Sequence, residues 1–335
     1  MRPWNPAAYP LLLVCCLAGA TSVGAQQSAS SLPPIRTSAW DLPLRQVHVG
    51  ELHRSFRVYV PDRLAASPGL VIALHGSIGD ASQARFAVGT ELERLADAQN
   101  YVVAYPNGLG GWNGCRRGSL NPASVNGVDD VAFMEALVND LVAAYGVDRR
   151  KLFALGYSGG GHLVYRLALE RPHLMAAHAA MVMILPAEES MECEPSGEAV
   201  SILIMNGTAD PSVRFEGGPI YDEEGEEIAR MMSTNDTFEY WARVGGMRRA
   251  PRVEMLPDVV PEDDSTVEVR SLTSPQHEVM LVVVHGGGHT LPGMTPPPGP
   301  PRAQNQDVNA MDLTWRFFMR QLERQQAGAA AQAES

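Results

Sequence analysis

The sequence predicts an α/β fold, with a mostly parallel central sheet and helices on both faces. Two observations carry this. Five short runs are apolar almost throughout and end at glycine or serine: "GLVIALHG", "QNYVVAYPNG", "RKLFALGYS", "AVSILIMNG" and "HEVMLVVVHGGG". Uninterrupted apolar strands are those buried on both faces, as in parallel sheets. Between them lie helical patterns, and strand–helix alternation is the signature of the α/β class. The 335 residues, 45% of them hydrophobic and 19% charged, are enough for one large core.

The elements follow in order. "RQVHVGELHRSFRVYVP" alternates at period two around Gly50–Glu51 and reads as an antiparallel hairpin. "GVDDVAFMEALVNDLVAAYG" puts Val131, Met134, Leu137, Leu141 and Tyr145 on one helical face, with Asp129 and Asp130 at the N-terminal dipole and Gly146 as the stop. "HLVYRLALERP" and "NDTFEYWARVGG" read as helices, and "NAMDLTWRFFMRQLERQ" as a closing amphipathic one. "PGMTPPPGPPRA" is a stiff proline-rich loop, and residues 326–335 are expected to fray.

At the N-terminus, Arg2, the short apolar "LLLVCCLAGA" and the small-residue stretch "SVGAQQ" are expected to form a secretory signal over residues 1–25, cleaved after Ala25, with Ala20 a second possible site. Val14 precedes Cys15 where a lipoprotein signal carries a small residue, and the apolar core is too short to span a bilayer. A leader rich in Ser and Gln fills residues 26–40, and the domain is expected over 41–325. Signal removal leaves Cys115 and Cys193. In an oxidising compartment these most simply form one disulfide, two buried thiols being the alternative. A net charge of −12 argues against nucleic acid. The acidic clusters 222–224 and 262–264 lack the spacing of a calcium loop and read as solvated surface.

The chemistry centres on Ser158. Gly156 and Gly160 give a G-x-S-x-G spacing where a buried strand turns directly into a helix. Small neighbours let the two elements approach closely and push the serine oxygen out above the sheet. The plainer reading is a glycine-rich turn whose serine caps the helix. A nucleophile needs a base, and the base an orienting acid. Asp210 stands just past the strand of "SILIMNGTADP", and His289 in the loop past "VMLVVVHGGGHT". His289 is preferred over His285, which abuts the apolar run and is expected to be tied to backbone at the strand end. The three glycines between these histidines make a helical zinc pair implausible, and neither metal nor cofactor is expected. Oxyanion donors are expected at the amides of Gly159 and Ser77, the latter in "LHGSIGD". Trp112 and Tyr157 are candidates to line a substrate cleft, either of them able to serve in packing instead.

Taken together, "LVIALHGSIGDA", "YPNGLGGWNGC", "VDDVAFMEALVNDLVAAYGVDRRKLFALGYSGGG", "NGTADPSV" and "HGGGHTLPG" resemble secreted α/β-hydrolase esterases of the polyhydroxybutyrate depolymerase and feruloyl/acetylxylan esterase group. The resemblance runs from about residue 45 to 322. It implies Ser158 as nucleophile, His289 as base, Asp210 as acid, Ser77 and Gly159 as oxyanion hole, and a Cys115–Cys193 bridge. Asn206 and Leu291 stand where the family often carries histidine and tryptophan. The expected substrate is a small, oligomeric or polysaccharide-linked ester, hydrolysed by a monomer outside the cell. A silent binding protein or a peptidase on the same fold are the competing readings. Specificity is expected to lie in loops 107–127, 214–232 and 291–306.

Overall fold

The computed structural model describes residues 41–77, 79–294 and 303–333, with side chains described as far as 328. The signal, its cleavage sites, Cys15 and Cys16, the leader 26–40 and most of the proline-rich loop lie outside the described residues. The strands are β1 (Leu44–Val49), β2 (Leu52–Tyr59), β3 (Gly69–Leu74), β4 (Tyr101–Pro106), β5 (Leu152–Tyr157), β6 (Ala177–Met181), β7 (Ile202–Gly207), β8 (Gly218–Tyr221), β9 (Glu227–Met231), β10 (Arg252–Met255), β11 (Thr266–Thr273) and β12 (Glu278–His285). The helices are α1 (Ala81–Ala84), α2 (Thr90–Gln99), α3 (Pro122–Val125), α4 (Asp130–Tyr145), α5 (Gly159–Glu170), α6 (Thr234–Val244) and α7 (Ala310–Ala333), with a π-helical turn at Arg85–Gly89.

Ten strands form one sheet in the order β1-β2-β4-β3-β5-β6-β7-β12-β11-β10, while β8 and β9 make a separate hairpin. The block β4-β3-β5-β6-β7-β12 is parallel, and both flanks are antiparallel. The apolar runs read from the sequence are the strands of this parallel block. Both faces are buried: in β3, Leu70, Ile72 and Leu74 join the core cluster that includes α4 and α5, while Val71 and Ala73 join the one that includes α1, α2 and α7. The β1–β2 hairpin turns at Gly50–Glu51 as the alternation predicts, with Val49 opposite Leu52.

The structure adds what periodicity did not show. Strand β6 is Ala-His-Ala-Ala-Met, a composition with little strand propensity that is held by its neighbours on both sides. Helix α7 continues through Ala333, past the point where fraying is expected, because Ala and Gln are good helix formers.

One ion pair organises the loop after β4. Arg54, on β2, donates to Asp130 Oδ1 at 2.7 Å, and both side chains are fully buried. Asp130 Oδ2 accepts the Asn113 amide at 2.7 Å, and Arg54 also reaches the Asn107 carbonyl at 3.3 Å. The pair thus pins the segment that carries Trp112.

Removing the carboxylate in Asp130→Ala strands a buried guanidinium. The urea-unfolding free energy is expected to fall by about 3–5 kcal/mol. A second prediction concerns acid. His178 is fully buried on β6, and burial pushes its imidazole down to about 4. Unfolded histidine titrates near pH 6.5, so between about pH 6.5 and 4 the unfolded chain binds the extra proton. Stability is therefore lost as pH falls through that window, by up to about 3 kcal/mol from this residue. In His178→Leu the loss of urea stability between pH 7 and pH 4.5 should be correspondingly smaller; an equal loss would refute the assignment.

Candidate active site

Ser158 sits between β5 and α5 at φ 52°, ψ −124°, a conformation that a non-glycine residue holds only at a cost of about 1–3 kcal/mol. Backbone contact enforces it. A Cβ on Gly156 would come within 2.5 Å of the Gly160 carbonyl, and one on Gly160 within 2.5 Å of the Leu74 carbonyl oxygen. The glycines answer to close approach of strand and helix. The Ser158 side chain makes no capping bond to α5, so the plain capping reading fails. Its Oγ lies 3.0 Å from His289 Nε2 instead.

His289 lies in the loop after β12. Its Nδ1 is 2.7 Å from Asp210 Oδ2, so Nδ1–H donates to the carboxylate and Nε2 faces the serine hydroxyl. Asp210, in the loop after β7, is also a turn residue: Oδ1 accepts the amides of Ser212 and Val213 at 2.7 and 2.8 Å. Those bonds fix the orientation of the carboxylate, which has almost no exposed side-chain surface. His285 is engaged elsewhere, its Nε2 being 3.0 Å from Glu268 Oε2 on β11, a side-chain tie rather than the backbone one expected.

Ser77 and Gly159 come together above β3 and β5. A Cβ at Gly159 would lie 2.7 Å from the Ser77 amide nitrogen and 2.5 Å from its Oγ. Gly159 also opens α5, whose first N–H groups have no intrahelical acceptor. The turn before Ser77 is latched by His75. Its Nε2 accepts the Gly108 amide at 2.9 Å, leaving Nδ1–H to donate to the Gly76 carbonyl at 2.6 Å. Burial lowers the His75 pKa, which keeps the ring in this neutral form. Trp112 Nε1–H donates to the His75 carbonyl at 2.9 Å.

A cleft of about 480 Å³ opens beside Ser158. Ser77, Gly159 and Trp112 line it, Trp112 with almost no exposure. Two of the three expected loops supply lining residues, such as Arg116 and Leu120 from the first and Arg214 and Ile220 from the second. No described residue of the third loop lines it. Tyr157 corrects the sequence reading. It does not line the cleft, because period two on β5 turns it to the same face as Phe153 and Leu155, beneath Gly76. Burial there raises its phenol to about 12. Cys115 and Cys193 are bridged, with Cα atoms 5.0 Å apart. Among the described residues no group of three or more His, Cys, Asp or Glu is placed to hold a metal ion. No described helix is long and apolar enough to cross a membrane.

Sequence reasoning missed Arg116, His162, Met183 and Ile184, all on the cleft wall. His162 carried a usable signal: it lies four residues after Ser158, one turn on along the same helix.

A parallel sheet bearing a strained serine turn, with Asp and His in later loops, defines the α/β-hydrolase class. Residues 54–193 match the family described as esterase PHB depolymerase. "Putative esterase NocK" of Nocardia uniformis subsp. tsuyamanensis is 32% identical over 290 residues, 82% of each chain. Feruloyl esterase B of Neurospora crassa is 34% identical over 125 residues, 36% of this chain and 41% of that enzyme. Among solved structures, acetyl xylan esterase from Aspergillus awamori has the same fold, with a TM-score of 0.54 at 19% identity over 82% of this chain and 98% of that one. The chain belongs to the esterase PHB depolymerase family and is a serine carboxylesterase.

Gly159→Ala would force its methyl group against Ser77. The kcat for p-nitrophenyl acetate is expected to fall about 10²- to 10³-fold, with far-UV circular dichroism unchanged.

Proposed function

We propose that Ser158, His289 and Asp210 form the catalytic triad of a secreted ester hydrolase. One observation carries the reading: an unbroken hydrogen-bonded line from Ser158 Oγ to His289 Nε2 at 3.0 Å, and from His289 Nδ1 to Asp210 Oδ2 at 2.7 Å. Ser158 Oγ attacks the ester carbonyl while His289 Nε2 takes its proton. Asp210 holds the imidazole in the required tautomer and stabilises the imidazolium. The Gly159 and Ser77 amides stabilise the tetrahedral oxyanion. Collapse expels the alcohol, which leaves with the proton from His289. Water, deprotonated by His289, then attacks the acyl-enzyme and releases the acid. No metal ion is assigned a step.

The substrates we assign are short hydroxyalkanoate esters, or acetyl and feruloyl esters of plant polysaccharide. The relatives named feruloyl esterase B and probable acetylxylan esterase support the polysaccharide arm. Export is supported by the N-terminal signal pattern and by the Cys115–Cys193 bridge, which an oxidising compartment favours. In this reading residues 41–325 are the catalytic domain, acting as a monomer.

Wild-type protein should hydrolyse p-nitrophenyl acetate. Ser158→Ala should lose about 10⁴-fold or more in kcat, and Asp210→Asn about 10⁴-fold through the wrong imidazole tautomer. Activity surviving in Ser158→Ala would remove this serine from the mechanism. Methyl ferulate, acetylated xylan and hydroxybutyrate oligomers, assayed side by side, separate the substrate classes.

A further inference from the structure

Arg116 has no place in the mechanism above, yet it lines the same cleft as Ser158. Its backbone is fixed on both sides. Cys115 before it is bridged to Cys193, Arg116 itself bridges Met191 in antiparallel fashion, and the Arg117 amide donates to the Ser190 carbonyl at 2.9 Å. The side chain is half-buried. Three other buried or half-buried arginines have carboxylate partners: Arg54 has Asp130, Arg85 has Glu93 and Arg166 has Glu170; the half-buried Arg57 donates to the Leu42 carbonyl. Arg116 makes no ion pair or side-chain hydrogen bond among the described residues. Burial pulls its guanidinium below the usual range, and no carboxylate stands close enough to offset this.

The surroundings sharpen the asymmetry. In a chain of net charge −12, the described cleft lining contains no Asp or Glu, while Arg214 adds a second cation. Beside Arg116, burial and the neighbouring cation hold His162 neutral, its pKa pushed down to about 3. The backbone at Gly114 packs on His162, where a Cβ would meet that of the histidine at 2.6 Å. His162 lies about one helical turn, ~5.4 Å along the axis, from Ser158. A cationic group therefore lines the same recess as Ser158, and the low-dielectric walls of such a recess focus its field.

We infer that the cleft takes esters that themselves carry a carboxylate, with Arg116 as the group that receives it. The inference rests on the hydrolytic reading and narrows its substrate class. A guanidinium–carboxylate contact is bidentate and directional, so it orients the substrate as well as attracting it. The hydroxyalkanoate arm fits, since an oligomer of hydroxy acids ends in a free carboxylate.

Monomethyl glutarate and dimethyl glutarate test this, since they differ by one charge on the same skeleton. Wild-type kcat/KM, followed by acid release, should favour the monoester about tenfold, and the preference should shrink at high salt. Arg116→Gln should lower kcat/KM for the monoester at least about tenfold more than for the diester, with Arg116→Lys recovering part of the loss. In parallel, calorimetric titration of Ser158→Ala with monomethyl glutarate should show binding that weakens about tenfold when Arg116→Gln is added. Equal wild-type kcat/KM for the two esters overturns the inference without reference to any variant, as does an equal loss for both on Arg116→Gln. Hydrolysis of the diester without preference leaves the esterase reading standing and removes the anion site. Arg116-dependent binding with no hydrolysis of either ester does the reverse.

Discussion

The site depends on how closely β5 and α5 approach each other. With Gly156 and Gly160 in backbone contact, and Gly160 also against the Leu74 carbonyl, the chain has no room to leave the strand by an ordinary turn. Ser158 absorbs the geometry in its own φ and ψ, and its hydroxyl is carried clear of the helix it precedes. The same proximity sets the Ser77 amide against Gly159, so the proposed nucleophile and the amides proposed to stabilise the anion come from one steric constraint rather than from separate ones. A side chain at any of these glycines would be resolved by spreading the strand and helix apart, with all of these groups moving together.

The cleft wall is held by different means. The loop after β4 has little regular structure, and its order comes from buried polar groups: Asp130 on the Asn113 amide, Arg54 on the Asn107 carbonyl, and His75 on the Gly108 amide. These are directional bonds in a region of low dielectric, where an unmet partner is costly. Arg116 departs from this pattern, since its wall is rigid and its charge is unanswered by any described residue. Rigid scaffolding around an unmatched charge is how a binding group is kept poised, because the ordering cost falls on folding instead of on association.

Much of this was legible in the chain. The parallel strands were readable because burial on both faces leaves no polar residue to interrupt the run. Asp210 and His289 were readable because each follows such a strand within a few residues. Ser158 was readable because its glycines have a steric purpose. What escaped was non-local. Strand β6 has no strand-like composition and exists because β5 and β7 flank it. Strand β10 is exposed along its whole length and extends the sheet by pairing with β11 alone. The direction of Tyr157 followed from strand parity, yet its adjacency to the serine suggested the cleft. Arg116 is one arginine among many in sequence, and only the missing partner sets it apart.

The Cys115–Cys193 bond has a topological consequence. It closes a covalent ring from residue 115 to 193 that contains α4, β5, Ser158, α5 and β6, with Arg116 one residue inside the closure. Even in a fully unfolded chain, Ser158 and Arg116 cannot drift further apart than the ring allows. A single peptide cut within it opens a circle without releasing a fragment, so Ser158 stays tethered to the wall that carries Arg116.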